Sequence, residues 1–173
     1  MDICRNGFIR VEITPEMHET ARVKALDLGV LRNSIRKGKG NLVGFLGEEI
    51  VLKAFGDAES ANTYQHDIRM MGTTFEVKSK DRTVDPRIDF DASVANYNTS
   101  QRADYYVFCS IFRNKITDAY THGHVIGMIP KQEYKTRARF YRKGDIDPSN
   151  NWVVSADCYN VPYGELTRFL ETV

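Results

Sequence analysis

His66-Asp67-Ile68-Arg69-Met70-Met71-Gly72-Thr73-Thr74-Phe75-Glu76-Val77-Lys78 is the stretch on which the fold and the chemistry turn. It reads as a β-hairpin, with strands over 64–70 and 73–80 flanking Met71-Gly72. A reversal symmetric about Met71-Gly72 sets residues whose numbers sum to 143 opposite one another, so Asp67 faces Glu76 and Ile68 faces Phe75. Side chains alternate along a strand, so Asp67, Arg69, Glu76, Lys78 and Lys80 share one face, and Ile68, Met70, Phe75 and Val77 share the other. The second set is core. In the first, two carboxylates stand opposed at about 5 Å, an unfavourable pairing unless something positive lies between them. A hard divalent cation takes oxygen ligands and removes the repulsion. Lys78 is placed to hold a water or to stabilise charge on a phosphate. Two acids, a cation and an ammonium suit hydrolysis of a phosphodiester, since the metal activates water and neutralises phosphate oxygens. Taken alone, Glu76-x-Lys78 also fits the solvent face of an edge strand.

Immediately upstream, 42–55 reads as a helix stopped by Gly56, with Val43, Leu46, Ile50, Val51 and Ala54 on one stripe. Gly44 and Gly47 interrupt it. Glycine costs about 1 kcal/mol against alanine in a helix interior, so the pair suggests a close approach. At about 100° per residue, Glu48 lies nearer the apolar stripe than Glu49. Glu48 is therefore the better third acid, with Glu49 facing solvent.

Elsewhere, 14–29 reads as a first helix, with Thr14 as N-cap, Pro15 at the first helical position and Gly29 as the stop. Residues 81–91 read as an acidic loop and 92–101 as a short helix. Residues 104–112 are apolar and aromatic apart from Asp104 and Ser110, as in a central strand covered on both faces. A strand over 116–129, broken near His122-Gly123, precedes a basic helix over 130–142. A last strand over 152–159 and a closing helix over 162–170 complete a single domain, 1–173. The class is α/β, with a mixed sheet flanked by helices. His122-x-His124 puts two imidazoles on one strand face without an evident third ligand, which fits ordinary histidines better than a metal site.

The chain has 173 residues, 42% hydrophobic and 27% charged, which excludes collagen-like and disordered classes. No apolar run is long enough to span a bilayer, and the N-terminus lacks the order of a signal peptide. Cys4, Cys109 and Cys158 form neither a zinc-ribbon spacing nor a disulfide framework, so a cytoplasmic, reducing setting is expected. No glycine pattern for a nucleotide cofactor is present. The net charge of +1 hides two basic clusters. Arg32, Arg36, Lys37 and Lys39 precede the acid-bearing helix, and Lys131, Lys135 and Arg137 lie in the later basic segment. With Lys80, these are the expected nucleic-acid-binding residues, although solvated surface segments have the same composition.

The Gly44-x-x-Gly47-Glu48 helix, Asp67 at a strand end and Glu76-Val77-Lys78 on the next strand resemble the PD-(D/E)XK nuclease superfamily, which has the restriction-endonuclease-like fold. The motifs cover about residues 42–80, and His66 stands where the family's named proline would be. The resemblance implies that Asp67 and Glu76 bind Mg²⁺ or Mn²⁺, one or two per site, with the Val77 carbonyl as a further ligand. It implies that Lys78 is the catalytic lysine, that Glu48 is the helix acid, and that Gln101 is a candidate polar residue entering the site. The expected activity is a metal-dependent deoxyribonuclease, a structure- or shape-selective endonuclease, with a homodimer compatible with cutting both strands. The alternatives are an exonuclease of the same superfamily, a catalytically silent nucleic-acid-binding module on the same fold, or an interaction protein whose hairpin acids merely pair with Arg69 and Lys80.

Overall fold

The computed structural model describes residues 1–28, 39–61, 63, 65–148 and 151–169, with side chains throughout except at 39, 40, 97 and 98. Strands β1 (Asp2–Ile3) and β2 (Ile9–Glu12) precede helices α1 (Pro15–Leu28) and α2 (Lys39–Ala54). A meander follows: β3 (Glu59–Ser60), β4 (Ile68–Met70) and β5 (Thr73–Arg82). Next come β6 (Asp91–Ala95), a 3₁₀ turn (Asn96–Ser100), β7 (Tyr105–Arg113), β8 (Tyr120–Pro130) and helix α3 (Lys131–Arg137). The last elements are β9 (Arg139–Tyr141), β10 (Ile146–Asp147), β11 (Trp152–Val153), β12 (Cys158–Pro162) and a 3₁₀ turn (Tyr163–Glu165).

The fold is mixed α/β. Seven strands form the main sheet in the order β1-β2-β8-β7-β5-β4-β3. Only β5 and β7 run parallel; the other neighbours are antiparallel. A second sheet, β6-β12-β9, is antiparallel throughout. Alternation along β7 feeds two cores. Val107, Cys109 and Ile111 join the core under α1 and α2, while Tyr106 and Phe108 join the core shared with the second sheet and Tyr134 of α3. Among the described residues, no helix is long and apolar enough to cross a membrane.

Local chemistry explains these elements. Thr14 Oγ1 accepts the Met17 amide hydrogen (3.3 Å) and caps α1, as its sequence predicts. The predicted stop, Gly29, lies outside the described residues. Leu46 and Ile50 of α2 are fully buried, each worth about 1.5–3 kcal/mol. The hairpin pairs in the predicted register: Ile68 with Phe75, Arg69 with Thr74, Met70 with Thr73. Met71 (φ 48°) and Gly72 (φ 79°) both take positive φ, as a two-residue turn matched to strand twist requires. The parallel register of β5 and β7 is pinned by Asp104, whose carboxylate accepts from the Thr74 amide (2.9 Å) and hydroxyl (2.6 Å).

Several sequence expectations need correction. The last strand expected over 152–159 is two strands in different sheets, β11 (Trp152–Val153) and β12 (Cys158–Pro162). Residues 91–95 form β6, not a helix, because Ala92 and Val94 alternate into the second core against β12. β8 continues through His122-Gly123, with a pairing irregularity at Thr121 just before them, and starts only at Tyr120, after an Asn114 side chain caps the preceding turn. The basic helix ends at Arg137, because Arg139–Tyr141 pair with β12. In place of a closing helix, a 3₁₀ turn leads to Thr167, which exchanges backbone hydrogen bonds with Met128. There Arg168, 9% exposed, donates to the carbonyls of Asn6, Ile126, Tyr163 and Leu166.

The two helix glycines differ. A Cβ on Gly47 would meet Ser79 Oγ of β5 at 1.8 Å, so Gly47 is where α2 touches the sheet; Gly44 has open space beside it. Gly47→Ala is expected to cost about 1–3 kcal/mol by overpacking, whereas Gly44→Ala is expected to be neutral or to stabilise by up to about 1 kcal/mol. Urea denaturation of the two variants checks the contrast.

Candidate active site

The site forms where β4 leaves β5. Asp67 is the residue before β4, and its own amide still donates to the Phe75 carbonyl (3.0 Å). One step further the backbone pairing gives way to a side chain: Asp67 Oδ2 accepts the Val77 amide hydrogen at 2.8 Å. Phe75 and Val77 direct their peptide groups to the same edge, so the Val77 carbonyl also faces this fork. Glu76, 4% exposed, lies on the opposite face of β5 from Phe75 and Val77, and α2 brings Glu48, 7% exposed, to the same region.

The three acids act on one another. Burial, then the negative charge of Asp67, raises the Glu48 carboxyl to about 8, with Glu76 contributing in the same sense. Burial and the charge of Glu76 hold the Asp67 carboxyl well above its ordinary range, against the lowering effect of the Val77 amide. Glu48 Oε2 and Glu76 Oε2 are buried without a hydrogen-bond partner. Buried carboxylate oxygens left bare are costly, so the cluster is poised to take up protons or a cation.

Two lysines balance it. Lys78 Nζ donates to Glu76 Oε1 (2.6 Å) and to Gln101 Oε1 (3.1 Å). Gln101, taken from the sequence only as a candidate, follows the 3₁₀ turn and fixes the ammonium. Lys24 of α1, which the sequence reading did not single out, lies 3.8 Å from Glu48 Oε2 and 2.9 Å from Glu49 Oε1. Glu49 is therefore half-buried and ion-paired rather than solvent-facing. Tyr106, read from sequence as core, is 1% exposed, but its buried hydroxyl has no partner and borders the acids. Burial and Glu76 push its phenol to about 12. The parallel register that sets Glu76 beside Tyr106 is what brings it there.

The expected phosphate-binding residues divide. Arg32, Arg36 and Lys37 lie outside the described residues, as does the side chain of Lys39. Lys131 sits at the rim, its ammonium 5.9 Å from the Tyr106 ring centroid, the same separation as Lys78. Lys135 is exposed and lies over the Tyr159 ring. Arg137 is engaged by the carbonyl and carboxylate of Glu165. Lys80 donates to the Asp91 carbonyl (3.2 Å) and Ser93 Oγ (2.7 Å) at the wall of an open cleft of about 650 Å³, where burial lowers its ammonium to about 8.

No family model and no curated protein matches this chain.

The raised carboxyls make a pH prediction. With folded-state values above unfolded ones, the metal-free native protein binds more protons than the unfolded chain, so its stability falls as pH rises from about 4 to about 8. Glu48→Gln is expected to flatten that decline and to be the more stable protein at pH 8. Melting temperatures in chelator across this range check it.

Proposed function

We propose that the chain is a divalent-metal-dependent nuclease of the PD-(D/E)XK type that hydrolyses DNA phosphodiester bonds, and that it is an endonuclease selecting its substrate by shape. The observation that carries this reading is the trio of buried Glu48, half-buried Asp67 and buried Glu76, drawn from three separate segments, with two carboxylate oxygens left without a hydrogen bond beside an ammonium. Such a donor set, all oxygen, fits Mg²⁺ or Mn²⁺. The chain order adds support: a helix bearing one acid, an antiparallel meander bearing two, then a strand parallel to the last of the meander.

Glu48, Asp67, Glu76 and the Val77 carbonyl would hold the cation. When bound, it would neutralise the acids and polarise the phosphate. Lys78, held by Gln101, presents a fixed positive charge to the phosphate or the attacking water. Asp67, tied to the Val77 amide, cannot swing away from the fork. Lys131 lies beside Glu76 and Tyr106, and Lys135 is exposed one turn further along the same helix. They suit backbone phosphates passing the site rather than a pocket closing on a strand end.

A panel of labelled linear, nicked, flap, junction and single-stranded DNAs, with Mg²⁺ and with chelator, tests the reading. Internal cleavage that requires the metal is expected. Glu76→Ala and Lys78→Ala should lose about 100-fold or more of the rate while retaining DNA binding. Mg²⁺ should raise the melting temperature by mass action, and Asp67→Asn should remove that rise. Release from termini alone points to an exonuclease. Binding without cleavage in Mg²⁺ or Mn²⁺ points to a silent module.

A further inference from the structure

The histidine pair that lacks a third ligand in the sequence gains one in the fold. On β8, His122 and His124 share a face with their register partners Glu12 and Arg10 of β2 and Phe112 and Ser110 of β7. The loop after β5 returns over this face, anchored by buried Pro86, and brings Asp85 to the pair. One ligand atom from each of Asp85, His122 and His124 lies within 4.8 Å of the other two.

Several features point to an ion. Both histidines are buried, at 8% and 4% exposed as whole residues, whereas the Asp85 side chain is 69% exposed. His122 Nε2 lies 3.0 Å from Asp85 Oδ1, and its Nδ1 lies 3.0 Å from Thr121 Oγ1. The Phe112 ring stacks on the His122 imidazole with centroids 4.7 Å apart, which fixes the plane of the ring. His124 Nδ1 is buried and has no hydrogen-bond partner. A bare ring nitrogen in the interior costs free energy that coordination would recover. Arg10, the neighbouring cation, is ion-paired with Glu12 at 2.7 Å.

We propose that Asp85, His122 and His124 form a second metal site, for a transition-metal dication of the zinc class, separate from the acidic site on α2 and the hairpin. Two imidazole nitrogens and one carboxylate suit a borderline-soft ion, whereas Mg²⁺ takes oxygen ligands. Three protein ligands leave a fourth position for solvent on the exposed side of Asp85. Thr121 Oγ1 then accepts the His122 Nδ1 hydrogen and fixes the tautomer that offers Nε2. The ion clips the loop after β5 onto β8, so its effect is read in stability as well as in binding.

The test uses Zn²⁺ and Co²⁺ on the Asp67→Asn/Glu76→Gln protein, which removes the acidic site from the measurement. One equivalent of Zn²⁺ per chain by calorimetry, a Co²⁺ visible absorption band and a raised melting temperature are expected. Adding Asp85→Asn, at an exposed position, should weaken binding at least about tenfold; His122→Asn should do the same. The metal-free melting temperature of each variant controls for folding. Absence of Zn²⁺ binding in this background overturns the proposal. So does an affinity that Asp85→Asn changes less than tenfold in a folded protein. Neither outcome depends on whether the chain cuts DNA.

Discussion

A single hydrogen bond, from the Val77 amide to the Asp67 carboxylate, fixes where the sheet stops being continuous. Beyond it β5 runs on with β7 alone on its other side, and the space that β4 vacates becomes the site. An ordinary ladder bond there would bury the fork and leave the acids without a common opening. Replacing a backbone acceptor by a carboxylate satisfies the amide and holds negative charge close to Glu76. The remaining groups follow from that exchange: Glu76 from strand alternation, and Lys78 two residues later on the same face.

The helix layer completes the arrangement through contact. Because Gly47 has no side chain, α2 lies directly against Ser79, and the next residue along the helix is Glu48. Three carboxylates so close would repel strongly in a medium that screens poorly, and the protein offsets this only in part. Lys24 approaches from α1 and Lys78 from β5, yet two oxygens remain bare. Natural interiors seldom tolerate such groups without a purpose, and burial is the largest cause that raises the carboxyls of both Glu48 and Asp67.

Much of this was legible in the chain because it is local. The hairpin register follows from the turn residues, the α1 cap from Thr14-Pro15, the α2 stripe from its spacing, and β7 from its largely apolar run. What was not legible depends on partners distant in sequence. Lys24 meets Glu48 through helix packing. Tyr106 meets Glu76 only through the parallel register set by Asp104 and Thr74. Asp85 reaches His122 across 37 positions. The missed strands have the same cause: Asp91–Ala95 and Arg139–Tyr141 are short, and pairing on either side of β12 overrides their local preferences.

The guanidinium of Arg168 acts as a rivet between the two ends of the molecule. It reaches beneath Gly7, whose missing Cβ leaves room for its stem, and gathers carbonyls from the first loop, from β8 and from its own turn. Severing the chain just ahead of this residue would strand those oxygens in the interior and loosen the loop that leads into β2. Any shortened version that aims to keep the sheet intact must therefore retain this arginine, even though it stands far from the acids.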